Sequence, residues 1–299
     1  MIPMQRIISE INVLFPQNWD PVRFLHLGAL EPFNPDVLEF LNELSRTINK
    51  DPLAQAFPDL ITFSFFCRKA HLIRLREEFV SDNKIRLGRG LVFHITPSNV
   101  PINFAYSLVC GLLSGNGNIV RVPSQSFDQV EFICRAISEL GRNRAFSQIK
   151  DRIALVQYER SSEATEFFSS ICDVRVIWGG DETIQTIRKY PLPARAFDVT
   201  FADRYSLCII NADQFIAESH PEQVAAGFYN DTYLFDQNAC TSPHLVVWTG
   251  VDDNVRKSKE IFWENLHHVV VRKKYELQPI MAVDKLTALY SQAFGSTAI

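Results

Sequence analysis

The 299-residue sequence has no run of like charge, no long apolar run and no closely spaced cysteines, and each absence removes a class of protein. Its 34 acidic and 30 basic residues are mixed along the chain and leave a formal charge of −4, so nothing gathers into a patch suited to nucleic acid. The longest apolar runs fall well short of the roughly 20 residues that a membrane-spanning helix needs. The N-terminal segment is interrupted by Glu10, Asn18 and Asp20, so it lacks the apolar core of a secretory signal. A cytoplasmic protein with no membrane span is expected.

The six cysteines, Cys67, Cys110, Cys134, Cys172, Cys208 and Cys240, are nowhere closer than 24 residues, so there is no local zinc or redox motif and no reason to expect disulfides. His244 and the His267-His268 pair lack the ligand spacing of a common metal site, and no metal is expected. Glycine is scarce, at 12 residues. No Gly-x-Gly-x-x-Gly follows a strand, and Gly115-Asn116-Gly117 is too sparse for a phosphate loop. What remains is a chain with 46% hydrophobic residues, enough to bury a large core, and no repeat or flexible linker.

Residues 1 to about 80 read as helical packing layers. Val37, Leu38, Phe40, Leu41 and Leu44 fall on one helical face behind the Asn34-Pro35 start signal, and a second helix is expected over Pro58–Phe79. From Arg89 the texture changes to short β-branched runs alternating with helical stretches. Strands are expected at Leu91–Ile95, Asn118–Val122, Arg152–Val156, Val174–Trp178 and Phe197–Thr200, which argues for βαβ units and a mainly parallel sheet. After Arg204 come a strand at Ser206–Ile210, one helix over Ala212–Tyr229, a polar turn with Cys240, a strand at His244–Trp248 and a helix from Asn254. The expected organisation is a helical region at 1–86, a cofactor-type sheet domain at 87–204 and a further α/β domain at 205–299.

Two segments sit where chemistry is plausible. His94–Pro101 spans a strand end and a helix start, the edge of a parallel sheet where ligands bind. There the Asn99 amide is either a helix cap or a donor to an oxyanion. His94, behind an apolar strand, reads first as a hydrogen-bonded core imidazole and otherwise as a residue that orients the Asn99 loop. Asn230–Pro243 places Cys240 in a polar turn, where a thiol is either an incidental loop residue or a nucleophile. The residues alone leave both pairs of readings open.

Together with Pro58–Arg68 and Gly115–Ser124, the segments His94–Pro101 and Phe235–Pro243 resemble, in this order, the acyl-CoA and acyl-protein reductases of the bacterial bioluminescence type, the LuxC family of the aldehyde dehydrogenase superfamily. The resemblance implies an aldehyde-dehydrogenase-like α/β fold, with a Rossmann-type parallel sheet domain, a partial catalytic domain and an N-terminal helical region. It implies that Cys240 accepts the acyl group and that Asn99, with the Cys240 backbone N–H, forms the oxyanion hole. Thr96, Pro97, Arg121, Ser124, Gly179 and Gly180 would then hold a nicotinamide cofactor. A cationic Arg121 beside Ser124 and Ser126, with no acidic residue in that stretch, favours NADPH over NADH.

The implied activity is reduction of a long-chain acyl thioester to a fatty aldehyde, with acyl-CoA or an acylated synthetase-type protein as donor and a homo-oligomer as the full-length form. Phe201–Ser206 carries no glutamate to activate water, which favours reduction over hydrolytic oxidation. The alternatives are aldehyde oxidation on the same scaffold, or an inactive remnant serving in binding or assembly. Only 59 residues follow Cys240, and a chain shortened at its C-terminus is expected.

Overall fold

The computed structural model describes residues 7, 11–79, 84–97, 100–159, 163–234, 237, 239–276 and 279–293. They divide into two compact units, Met1–Asp203 and Arg204–Ile299.

Unit 1 is built on a six-stranded sheet in the order β1-β4-β3-β2-β5-β6. Its strands are β1 (Asn12–Phe15), β2 (Leu91–Ile95), β3 (Gly117–Arg121), β4 (Ile153–Gln157), β5 (Val174–Trp178) and β6 (Phe197–Phe201). The five from β2 to β6 are mutually parallel, and β1 joins the edge antiparallel to β4. Burial on both faces explains why β2 to β5 read as largely apolar runs, whereas β6, on the edge, is only half-buried. Ile153 and Leu155 enter one core, while the alternate Ala154 and Val156 enter the other.

The first core packs against α2 (Pro35–Lys50), α3 (Pro58–Phe66), α4 (Lys69–Phe79), α5 (Asn103–Leu113) and α6 (Asp128–Leu140); the short α1 (Pro21–Leu25) sends Phe24 to the opposite face. After α7 (Ser147–Lys150), that opposite face is covered by α8 (Glu163–Ile171), through Ala164 and Phe168, and α9 (Asp181–Arg188), through Ile184 and Ile187. Asn34 caps α2 by accepting a hydrogen bond from the Asp36 N–H at 2.9 Å, and Pro35 opens the helix as its position suggests.

The expected helix over Pro58–Phe79 is two helices that meet at Cys67 and Arg68. The break lets Leu60, Phe63, Cys67 and Leu72 all enter one core, which a straight rod would not allow. Strand β1 was not legible in a region that reads as helical: four residues on a sheet edge are too short for a period to register.

One charged pair crosses the sheet interior. Arg175 of β5 is 1% exposed and directly opposite Asp198 of β6. Its Nε donates to Oδ1 at 2.7 Å and Nη2 to Oδ2 at 3.2 Å, while Nη1 donates to Ser169 Oγ and Tyr190 O. The guanidinium thereby locks the last two strands in register.

Unit 2 has a two-stranded parallel sheet, β7 (Ser206–Asn211) and β8 (Pro243–Thr249), with α10 (Ala212–Ala217), α11 (Pro221–Thr232), α12 (Asp252–Arg272) and α13 (Pro279–Ala293). Phe215, Phe228, Tyr229, Phe262 and Leu266 form its core against one face of the sheet. Leu207, Ile209 and Leu245 are exposed. The single helix expected over Ala212–Tyr229 is split because Pro221 lacks an N–H and biases His220, at φ −132°, away from helix. Among the described residues no helix is long and apolar enough to cross a membrane.

Candidate functional site

In unit 1 the chain runs outward from β2 through β3 to β4, then returns to β5 on the other side of β2. The helix after β2 lies on one face and the helix after β5 on the opposite face. The β2/β5 junction is therefore a topological switch point, beyond whose carboxyl ends open α/β sheets bind ligands.

Thr96 and Pro97 leave the end of β2, Arg121 closes β3 with Ser124 just beyond it, and Gly179 and Gly180 leave the end of β5. All six lie at the carboxyl edge of the sheet. Asn99 lies outside the described residues. Thr96 Oγ1 donates to the Arg121 carbonyl at 2.7 Å, tying two strand ends together. Arg121 Nη2 donates to the Tyr158 carbonyl at 3.1 Å, and its guanidinium lies 4.8 Å from the Tyr158 ring centroid. Arg121 thus has a structural task, and its remaining N–H groups have no partner among the described residues. Ser124 is exposed, whereas the Ser126 hydroxyl donates to Glu131.

Gly180 is the N-cap of α9, and no side chain caps that helix. Its first-turn N–H groups thus lack a side-chain cap, in a turn that also carries Asp181 and Glu182. A Cβ at position 180 would lie 3.0 Å from Asp203 Oδ2, so the tight turn suits glycine. A parallel-sheet switch point with an uncapped Gly-Gly helix start fits a dinucleotide, although the glycine fingerprint is absent.

Beneath this edge runs a chain of buried polar groups that the sequence did not announce. His94 is 2% exposed. Its Nε2 lies 3.0 Å from Asn118 Oδ1 and its Nδ1 2.8 Å from Ser107 Oγ. Trp178 Nε1 donates to the same Ser107 Oγ at 3.1 Å, and Asn118 Nδ2 donates to the carbonyl of Asn116. Burial pushes the His94 pKa down to about 4, so the ring is neutral. Asn118 Oδ1 only accepts, so Nε2 carries the proton and Nδ1 accepts from Ser107. His94 is thus the hydrogen-bonded core imidazole that its apolar strand implied. An asparagine inside an otherwise apolar strand, Asn118, was the available signal for its partner.

In unit 2, Cys240 lies in the turn between α11 and β8 and is exposed. The turn is tied on several sides: Gln237 N donates to Thr232 O at 2.9 Å, Ser242 Oγ to Asp231 O at 2.8 Å, and Ser206 Oγ to the Cys240 carbonyl at 2.8 Å. Gln237 holds a left-handed φ of 62°. The other five thiols are poor nucleophiles. Burial pushes Cys134 and Cys172 up to about 12 and raises Cys67, Cys110 and Cys208 as well. His244, four residues on, stacks on Tyr205 with ring centroids 5.4 Å apart.

Two solved structures share the fold at low identity. One is a betaine aldehyde dehydrogenase from Staphylococcus aureus in complex with NAD+, at TM-score 0.53 and 15% identity, with 76% of this chain and 48% of that one covered. The other is Proline Utilization A from Corynebacterium freiburgense, at TM-score 0.58 and 14% identity, with 84% and 27% covered. The fold is therefore aldehyde-dehydrogenase-like. A long-chain acyl-protein thioester reductase of Vibrio harveyi is 25% identical over 216 residues, 71% of this chain and 43% of that protein. Its counterpart in Aliivibrio fischeri is 24% identical over 162 residues, 54% of this chain and 32% of that protein. The chain thus spans less than half the length of these curated relatives. The model of the acyl-CoA reductase (LuxC) family matches residues 4–275, and the chain belongs to that family.

Proposed function

We propose that this chain carries the acyl-accepting cysteine and the cofactor edge of a reductase that converts a long-chain acyl thioester to a fatty aldehyde. The observation that carries the proposal is the family match across 4–275, which takes in both the strand edge at Thr96–Gly180 and the turn that exposes Cys240. Acyl-CoA or an acylated protein is the donor.

The Cys240 thiolate attacks the carbonyl carbon of the donor thioester and forms a new C–S bond. The tetrahedral oxyanion is stabilised by the Cys240 backbone N–H and the Asn99 amide, a donor of the kind worth roughly 3–4 kcal/mol of barrier. Collapse expels the donor thiolate and leaves the acyl group on Cys240. A nicotinamide cofactor held at the strand edge by Thr96, Arg121 and the Gly179-Gly180 turn would supply hydride for reduction of that acyl group, and Cys240 would leave as the thiolate. Phe201–Ser206 carries no glutamate to activate water, so the thioester persists until hydride arrives.

Thr96, Pro97, Arg121, Ser124, Gly179 and Gly180 are the residues proposed to hold the cofactor. NADPH is preferred to NADH: Arg121 has N–H groups without a partner among the described residues, and Ser124, three residues on, is exposed, a combination suited to a 2′-phosphate. The domain limits proposed for these roles are 1–86, 87–204 and 205–299. A cytoplasmic location and a homo-oligomeric full-length form belong to the same proposal.

The test is mass spectrometry of the purified chain after incubation with a long-chain acyl-CoA, followed by NADPH. An acyl adduct on Cys240 that disappears as aldehyde forms supports the proposal. An adduct elsewhere, or on the Cys240→Ala protein, removes Cys240 from its role.

A further inference from the structure

We infer that Trp178 and Phe201 form an aromatic platform for a planar heteroaromatic ring of the bound ligand, and that Ser107 and His94 are positioning residues that set its orientation. Trp178 ends β5 and Phe201 ends β6, and the two are register partners. Their rings stack 3.8 Å apart at 9°. The pair stands at the carboxyl edge of the sheet, immediately before the Gly179-Gly180 turn. Phe201 is 37% exposed on the edge strand next to β5, so an aromatic face is left at the carboxyl edge of the sheet, one strand from the β2/β5 switch point. Flat heteroaromatic rings stack on such faces whatever their hydrogen-bonding edges.

The buried polar chain gives the platform a single orientation. With His94 neutral and its proton on Nε2, Ser107 must donate to Nδ1, and the Ser107 oxygen then accepts from Trp178 Nε1. Each group has one available role, so turning the indole over would strand the Ser107 acceptor and the indole N–H. Gly111 is part of the same arrangement, because a Cβ there would lie 1.9 Å from Asn118 Oδ1 and 3.0 Å from His94 Nε2. An apolar core would hold these strands together equally well. The polar chain adds direction, and the group it directs is the only one of the four that lies at the ligand edge.

This inference rests on the nicotinamide-cofactor reading, which offers two candidate rings, adenine and nicotinamide. Calorimetric titration of the full chain with NADPH, 2′-phospho-ADP-ribose and nicotinamide mononucleotide separates them. Phe201→Leu keeps the apolar bulk and removes the π face, and it should weaken NADPH about tenfold, within the range seen for base–aromatic stacking. The fragment whose affinity falls in parallel identifies the ring. Binding of NADPH to Phe201→Leu within twofold of wild type overturns the platform alone, whereas no binding of NADPH or NADH to wild type overturns the cofactor reading and the platform with it.

The positioning role is read from a double-mutant cycle. Ser107→Ala should weaken NADPH binding and flatten the near-ultraviolet dichroism of the indole, and Ser107→Thr should restore both. In a Trp178→Phe background, which has no indole N–H to direct, Ser107→Ala should have no further effect on affinity. An equal loss in both backgrounds means that Ser107 acts through general packing and sinks the relay.

Discussion

Substitution of Asp198 tests whether the sheet edge is held by the buried charge pair. Asp198→Ala removes the two carboxylate bonds, at 2.7 and 3.2 Å, from an Arg175 side chain that is 1% exposed. The guanidinium keeps Ser169 Oγ and the Tyr190 carbonyl, which are neutral acceptors and do not balance its charge. Breaking one side of such a pair costs about 3–5 kcal/mol, because the cost is that of an uncompensated buried charge rather than of two hydrogen bonds. Arg188 also approaches Asp198, at 3.4 Å, but it is 53% exposed and adds little. For a unit of this size the melting temperature should fall by roughly 6–20 °C. Urea unfolding gives the free energy directly, and the double variant Arg175→Met with Asp198→Leu should recover most of it. A loss below about 1 kcal/mol, the value for a surface pair, would refute the reasoning. Because the pair sets β6 against β5, Asp198→Ala should also disturb the ring stack at the end of those strands.

Three other outcomes follow from the buried groups and from Cys240. Gly111→Ala should destabilise unit 1 by at least about 1–3 kcal/mol, since the methyl group has nowhere to go; unchanged urea unfolding would contradict the packing around His94 and Asn118. The folded His94 pKa, about 4, lies below the usual value near 6.5, so the unfolded chain takes up the proton first as pH falls. The corresponding stability is intact above pH 6.5 and should be lost between pH 6.5 and 4, at up to about 1.4 kcal/mol per unit; His94→Asn should flatten that slope, and an identical slope in both proteins would place the titration elsewhere. A maleimide at neutral pH should modify Cys240 ahead of Cys110, which is also exposed but has a raised pKa, and well before the more buried thiols; Cys240→Ala should abolish the fast phase, and a fast phase that survives assigns it to another cysteine.

Local chemistry made much of this protein legible without a structure. The strands Leu91–Ile95 and Val174–Trp178 stand where their β-branched runs placed them, and the helix behind Asn34-Pro35 begins where a cap followed by proline requires. Four short motifs in order were enough for the family. Local chemistry failed where the deciding partner was distant. The split at Cys67 serves a core whose other members come from α2 and α5, and Asn12–Phe15 becomes a strand only because β4 offers an edge.

The sequence by itself determined the alternation of strand and helix, the exposed setting of Cys240 in a polar turn and the glycines beyond β5, because each depends on residues a few positions apart. Only the tertiary structure decided which groups share the sheet edge. Thr96 and Arg121 are 25 residues apart and meet because parallel strands bring their carboxyl ends to one side, whereas Ser107 and Trp178, 71 apart, meet because α5 packs back against the sheet. The proton on His94 was settled by the two partners that folding places around it, Ser107 and Asn118, and by the solvent that burial removes.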